Sequence, residues 1–199
     1  MPLRYTPRTM FDILTHPRCA VGIFKSGPPK LANLATATAS SLDAQTALLR
    51  REMDASFSWD DLARLRDVWP RQLVVKGICT PRDAARCFEI GANAVVVSNH
   101  GGRQLDDAAA PISILGGFQG LGHVLIDGGI RRGSDVVKAL ASGAHGVLVG
   151  RSVLYGLAAR GETGASEALH ILVEEIDRTL ALVGCPDASR LSNAFVGHE

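Results

Sequence analysis

Short, wholly apolar runs recur along the chain from Gln72 onward: "QLVVKGI" (72–78), "NAVVVSN" (93–99), "GHVLID" (122–127) and "GVLVG" (146–150). They are apolar at successive positions rather than at every second one. That pattern predicts strands covered on both faces, as in a parallel sheet. Helix signals lie between them. Ser58-Trp59-Asp60-Asp61 predicts a capping box, with Ser58 as N-cap and Asp61 at the third helical position. Trp59, Leu62, Leu65 and Trp69 then share one face, and Pro70 ends the run. Thr80-Pro81-Arg82-Asp83 opens the next helix with proline in its first position, and Gly91 closes it. A third helix is expected from about Ser134 to Ser142. The last runs from about Ser166 to Val183, with Leu169, Leu172, Val173, Ile176, Leu180 and Val183 as its apolar stripe.

Residues 1–53 follow another grammar. Pro2, Pro7, Pro17, Pro28 and Pro29 punctuate them. They read as an irregular segment with one or two short helices, and Leu42–Arg51 carries a weaker helical signal. The expected organisation is therefore an irregular segment over 1–53 and an α/β part over 54–199.

Two architectures fit alternating strands and helices: a (β/α) barrel or a doubly wound open sheet. A faint repeat, "EIGANAVVVSN" and "ASGAHGVLVGR", fits both. The polar residues favour the barrel. Lys76, Ser98-Asn99-His100, Asp127 and Gly150-Arg151 all stand at the C-terminal ends of successive strands. In a barrel those ends meet at one mouth, whereas an open sheet gathers a site at a single switch point. Four strands are visible and a closed barrel has eight. The expected fold is a (β/α)8 TIM-type barrel, of which this chain holds the C-terminal four units.

Composition narrows the partners. The 199 residues carry 21 Lys+Arg against 20 Asp+Glu, a net charge of +1, so nothing draws the molecule as a whole to nucleic acid. Cys19, Cys79, Cys87 and Cys185 form no C-x-x-C pair and lack zinc-ligand spacing with histidine. They read as free thiols in a reducing compartment, and no metal is expected. No secretory signal is expected, nor any apolar run long enough to cross a bilayer.

Chemistry concentrates at the strand ends. In "DGGIRRGSDVVKAL", Asp127 ends a strand and Gly128-Gly129 lets backbone approach a ligand closely. Arg131, Gly150 and Arg151 add backbone and guanidinium donors of the kind that bind phosphate after the last barrel strands. A tight turn with surface arginines is the alternative. Lys76 is either a lysine snorkelling from a strand end or a cation facing an anionic group in the mouth. His100 is the candidate base, and Arg103 is placed to hold a carboxylate bidentately. His16, His123, His145, His170 and His198 lack such company and read as structural or surface residues.

The blocks "SNHGGRQLD" (98–106), "DGGIRRGSDVVKALASGA" (127–144) and "VGR" (149–151) closely resemble the FMN-dependent α-hydroxy-acid dehydrogenases and oxidases. "MDASFSWDDLARLRDVWP", "LYGLAARGETG" and "IDRTLALVGCPD" look most like that family's mandelate-oxidising branch. The resemblance covers the whole chain but only the C-terminal half of the family's barrel. It implies FMN as cofactor and oxidation of a small (S)-2-hydroxy acid, mandelate- or lactate-like, to the 2-oxo acid. By the same resemblance His100 takes the substrate proton and Arg103 the carboxylate. Lys76 stands near flavin N1/O2, and Ser98 lies in the flavin-contacting strand end with His100 beside it. Asp127, Gly128, Gly129, Arg131, Gly150 and Arg151 hold the ribityl and phosphate groups.

In the family, tyrosines and a histidine-orienting aspartate come from the other half; here Tyr5 and Tyr155 are the only tyrosines, outside the expected context. The resemblance also implies a homo-oligomer, a tetramer in the family. The segment "PRCAVGIFKSGPPK" stands where the mandelate branch carries a membrane-docking loop. Val21, Ile23 and Phe24 among Arg18, Lys25 and Lys30 fit that role, and a mobile active-site lid is the alternative. The membrane reading implies a quinone as electron acceptor and a cytoplasmic protein held peripherally on the inner face of the membrane. Two further classes stay open: a non-catalytic half-barrel that binds phosphate or flavin weakly or self-associates, and a flavin-free phosphate-binding barrel enzyme.

Overall fold

The computed structural model describes residues 6–27 and 42–197, which fall into two compact units, 1–58 and 59–199. Pro2, Tyr5, Pro28, Pro29, Lys30 and His198, and the side chains of Arg18, Cys19 and Ile23, lie outside the described residues.

The first unit contains α1 (Pro7–Thr15), α2 (Pro17–Ser26) and α3 (Leu42–Glu52). It is more helical than its prolines suggest, because two of them start helices. Pro7 and Pro17 open the first turns of α1 and α2, where a missing N–H costs no hydrogen bond. Thr6 caps α1 by accepting from Thr9 N at 3.2 Å. The helices α1 and α2 touch each other, yet α1 buries none of its residues. Phe11, Leu14 and Phe24 are 66, 76 and 91 % exposed.

The second unit runs α4 (Trp59–Val68), β1 (Val74–Ile78), α5 (Pro81–Glu89), β2 (Ala94–Val97), α6 (Pro111–Ile114), β3 (Val124–Asp127), α7 (Gly133–Ala141), β4 (Gly146–Leu148) and α8 (Arg151–Leu182). Thr80 caps α5 through Asp83 N at 3.1 Å, as its sequence requires. The strands form one sheet in the order β1-β2-β3-β4, every pair parallel. A doubly wound sheet must reverse its order at a switch point, and this one does not. The unit is four consecutive β/α units of a barrel.

Strand alternation sorts the side chains into two layers. Val95, Val97, Val124 and Ile126 face the helices and join Ala84, Cys87, Leu115, Phe118, Val136 and Ala139 in one core. Phe118 and Leu115 are 1 % exposed, and such burial contributes about 1.5–3 kcal/mol per side chain. The opposite row contains Lys76, Val96 and Leu125 in register, with Asp127 two residues beyond. Two charged groups thus face away from the helical layer. The edge strands β1 and β4 leave Val74 and Leu148 47 and 41 % exposed.

The last helix differs most from expectation. It begins at Arg151 rather than near Ser166 and breaks at Arg160–Gly161, where the backbone leaves helical geometry. Gly156 and Gly164 lie against each other where its two arms meet. Of the expected stripe only Leu172 is buried; Leu169, Val173 and Val183 stay substantially exposed. Ile176 packs against the core, and the second arm lies against the start of α7. Glu175 accepts from Gly133 N at 2.8 Å and pairs with Arg132 at 2.8 Å. Glu175 thus supplies a carboxylate to the positive N-terminus of α7. A Cβ at Gly133 would stand 2.4 Å from Ile176 N, so only glycine permits this approach.

Gly133→Ala should therefore lower the folding free energy by about 1–3 kcal/mol, read as a shift of the urea midpoint. The backbone donor at Gly133 and then Arg132 hold the Glu175 carboxyl below its ordinary value. A carboxyl lowered on folding stabilises the native state above its unfolded pKa, and that stability is lost as pH falls through the folded value. Urea midpoints measured from pH 6 downward should fall less steeply in Glu175→Gln than in the parent.

Candidate functional site

The site begins with one lysine. The β1–β2 register shifts between Lys76 and Ile78, an irregularity of the kind that re-aims side chains at a strand end. Lys76 Nζ donates to Ser98 Oγ at 2.7 Å and forms an ion pair with the Asp127 carboxylate. Residues from the ends of β1, β2 and β3 therefore converge on one ammonium group. Ser98 is 3 % exposed, and its Oγ also accepts from His100 N at 3.1 Å.

His100, Gly101 and Gly102 follow with three successive positive φ angles of 57, 68 and 71°. For a histidine this backbone costs about 1–2 kcal/mol. Strain of that kind persists only where neighbours fix it. Two neighbours do so. Asn99 Oδ1 accepts from Gly102 N at 3.1 Å, and Asn99 Nδ2 donates to Ala109 O at 3.2 Å. Arg151 Nη2, from the start of α8, donates to Gly101 O at 3.1 Å. His100 and Arg103 are left facing a cleft of about 350 Å³.

The opposite wall is the turn after β3. Gly128 and Gly129 have φ of 85 and 79°, and nothing lies within 4 Å of a Cβ built on Gly129. The Gly129 backbone is bare, whereas Gly128 backs onto Asn99 and Pro111. Asp135 Oδ2 accepts from Arg131 N and Arg132 N at 3.0 and 2.9 Å and fixes this turn. The α8 N-terminus adds a positive end whose N-cap, Gly150, supplies no side-chain acceptor. Asp127 Oδ1 and Ser152 Oγ are buried side-chain oxygens without a partner.

Lys76, His100, Arg103, Asp127, Gly128, Gly129, Arg131, Gly150 and Arg151 all line this cleft. Ser98 lines the adjoining one with Asn99 and is joined to the first through Lys76. Sequence reading placed Asn99 at a strand end without giving it a role, and passed over Ser152. An asparagine two residues ahead of a Gly-Gly pair is a turn signal; Ser152 carries no comparable mark.

This donor set suits an FMN-sized anion. The cleft volume lies in the range of cofactor pockets. Arg131, Arg151 and the α8 N-terminus match a phosphate, and the orphaned Asp127 oxygen matches a ribityl hydroxyl donor.

Comparison with known proteins agrees on the cofactor. A family model described as FMN-dependent dehydrogenase matches residues 1–198. An (S)-mandelate dehydrogenase of Pseudomonas putida is 50% identical over 203 residues, covering 100% of this chain and 51% of the relative. An L-lactate dehydrogenase of Caulobacter vibrioides is 42% identical over 178 residues, covering 86% of this chain and 46% of the relative. A crystal structure described as the monotopic membrane protein (S)-mandelate dehydrogenase superposes with a TM-score of 0.94 at 50% identity, covering 100% of this chain and 54% of that one. The chain spans about half the length of the curated relatives it matches.

Proposed function

This chain belongs to the FMN-dependent dehydrogenase family, and on that premise we propose that it forms the C-terminal half of an enzyme oxidising (S)-2-hydroxy acids of mandelate or lactate type. The observation that carries the reading is the convergence of Lys76, His100, Arg103, Asp127 and the Gly128–Arg131 turn on one cleft. FMN is the family's cofactor, and when bound it supplies the two-electron acceptor.

The residues divide the remaining work. Arg131, Arg151 and the α8 N-terminus hold the phosphate, and the free oxygen of Asp127 takes a ribityl hydroxyl. The Lys76 ammonium, about half exposed, would supply positive charge to a bound flavin that takes up electrons. Arg103 binds the substrate carboxylate with two parallel N–H donors and so orients the alcohol carbon. His100 takes one substrate proton, its imidazole being suited to transfer near neutral pH. Of the two electrons and two protons that the substrate loses on becoming the 2-oxo acid, one proton goes to His100, and the electrons with the other proton would go to bound FMN.

The first unit supports a place for that chemistry. The α1 and α2 helices carry Met10, Phe11, Leu14, Val21 and Phe24 exposed, with Arg8 and Lys25 on the same helices. Among the described residues no helix is long and apolar enough to cross a membrane. An apolar face with flanking cations suits a segment lying in the headgroup region. We read it as a peripheral contact with the inner face of the cell membrane, with a quinone as electron acceptor and a homo-oligomer as the working form.

Two measurements test this. Co-produced with a complementary N-terminal half, the chain should bind FMN, and the flavin should bleach anaerobically with (S)-mandelate or L-lactate. His100→Ala should keep FMN yet slow that bleaching by about 10²–10⁴-fold; an assembled barrel without FMN, or His100→Ala reduced at the parent rate, defeats the assignment. The parent should co-sediment with anionic vesicles, and Leu14→Glu with Phe24→Glu should abolish sedimentation while leaving anaerobic flavin reduction intact.

A further inference from the structure

We propose that Asn99 is a positioning residue whose carboxamide latches the loop from His100 to Ala109 and so sets His100 and Arg103 against the cleft. The inference rests on the role given above to those two residues.

The carboxamide does two opposite things at once. Its Oδ1 accepts from Gly102 N at 3.1 Å, closing the turn on which His100 sits. Its Nδ2 donates to Ala109 O at 3.2 Å, ten residues along the chain. Both ends of the loop are thereby tied to one side chain, with Arg103 between them. Gly102 N also donates to Asn99 O at 3.1 Å, so a backbone contact supports the turn without reaching Ala109. The carboxamide also lies close to the cofactor wall. A Cβ on Gly128 would stand 3.2 Å from Asn99 Oδ1, so the latch lies against the turn assigned to the flavin.

Substitution chemistry separates the two bonds. An aspartate keeps the acceptor for Gly102 N and loses the donor to Ala109 O. An alanine loses both. The loop that the carboxamide holds contains no helix or strand before Pro111 other than the single turn at His100–Gly102. Backbone contacts alone leave Arg103 and the residues after it without an anchor. An error of about 1 Å in the position of a reacting group costs about 10²-fold in rate.

The test compares parent, Asn99→Asp and Asn99→Ala by hydrogen–deuterium exchange of the full chain, and by flavin reduction and oxalate binding in the assembled holoenzyme. Faster exchange confined to residues 100–110 is expected in both variants, with β3 and α7 unchanged. Flavin content should hold. Anaerobic reduction should slow by about 10²-fold in Asn99→Ala and less in Asn99→Asp, and oxalate, a probe for Arg103, should bind about ten-fold more weakly. Parent-like exchange in residues 100–110 overturns the latch whatever the chemistry. So does loss of flavin in both variants, which would make Asn99 a folding residue only. Altered exchange in a barrel whose parent form is not reduced by any 2-hydroxy acid upholds the latch and sinks the functional reading instead.

Discussion

One ammonium group ties three strands into a single site. Lys76 leaves β1, crosses β2 and meets the Asp127 carboxylate at the end of β3, taking the Ser98 hydroxyl on the way. The pair is unequal: the lysine side chain is 46 % exposed and that of Asp127 18 %. So exposed a pair is screened and adds little stability. Its effect is positional. It neutralises a largely covered carboxylate through one oxygen and leaves the other oxygen free in the cleft wall. It also keeps a cation facing that cleft.

The same hydroxyl couples the two halves of the chemistry. Ser98 Oγ accepts from Lys76 Nζ and from His100 N. The cation proposed for the flavin and the base proposed for the substrate thus share one hydrogen-bonded atom. From there the backbone enters three left-handed residues, and Arg151 returns from α8 to bind the middle one. The proposed base is held through its main chain: its backbone N–H, not its ring, bonds Ser98. That arrangement leaves the imidazole free to meet a substrate and a partner from across the barrel.

Parallel topology explains why the site was legible in the sequence. Apolar runs fixed the strands, and the polar residue ending each run fell at the barrel mouth because all four strands point the same way. Thr80-Pro81 marked a helix start by purely local chemistry. The features missed depend on distant partners. The last helix was expected only from about Ser166, yet it has a first arm from Arg151, and Gly156 and Gly164 allow its two arms to touch. The bond from Glu175 to Gly133 joins residues far apart in sequence, so neither residue announces it. Pro7 and Pro17 punctuate a segment in which one or two short helices were expected, but a proline suits a loop and the first turn of a helix alike, so neither located those helices. The role of Asn99 needed the position of Ala109, which no local pattern supplies.

On the proposed reading, the family's labour divides along the chain. The groups assigned to the substrate carboxylate, the proton and the cofactor phosphate all fall within 59–199. Those that distinguish one side chain from another would come from the opposite wall. Relatives named for mandelate and for lactate accordingly match this chain at 50% and 42% identity. Closing the barrel against β1 and β4 would bring its own physical change. Covering these edges pairs their free backbone groups. Excluding water from the cleft also lowers the local dielectric, and the attraction between Lys76 and Asp127 rises with it. A pair that is mainly positional in the open half becomes a strong electrostatic element once the second wall is in place.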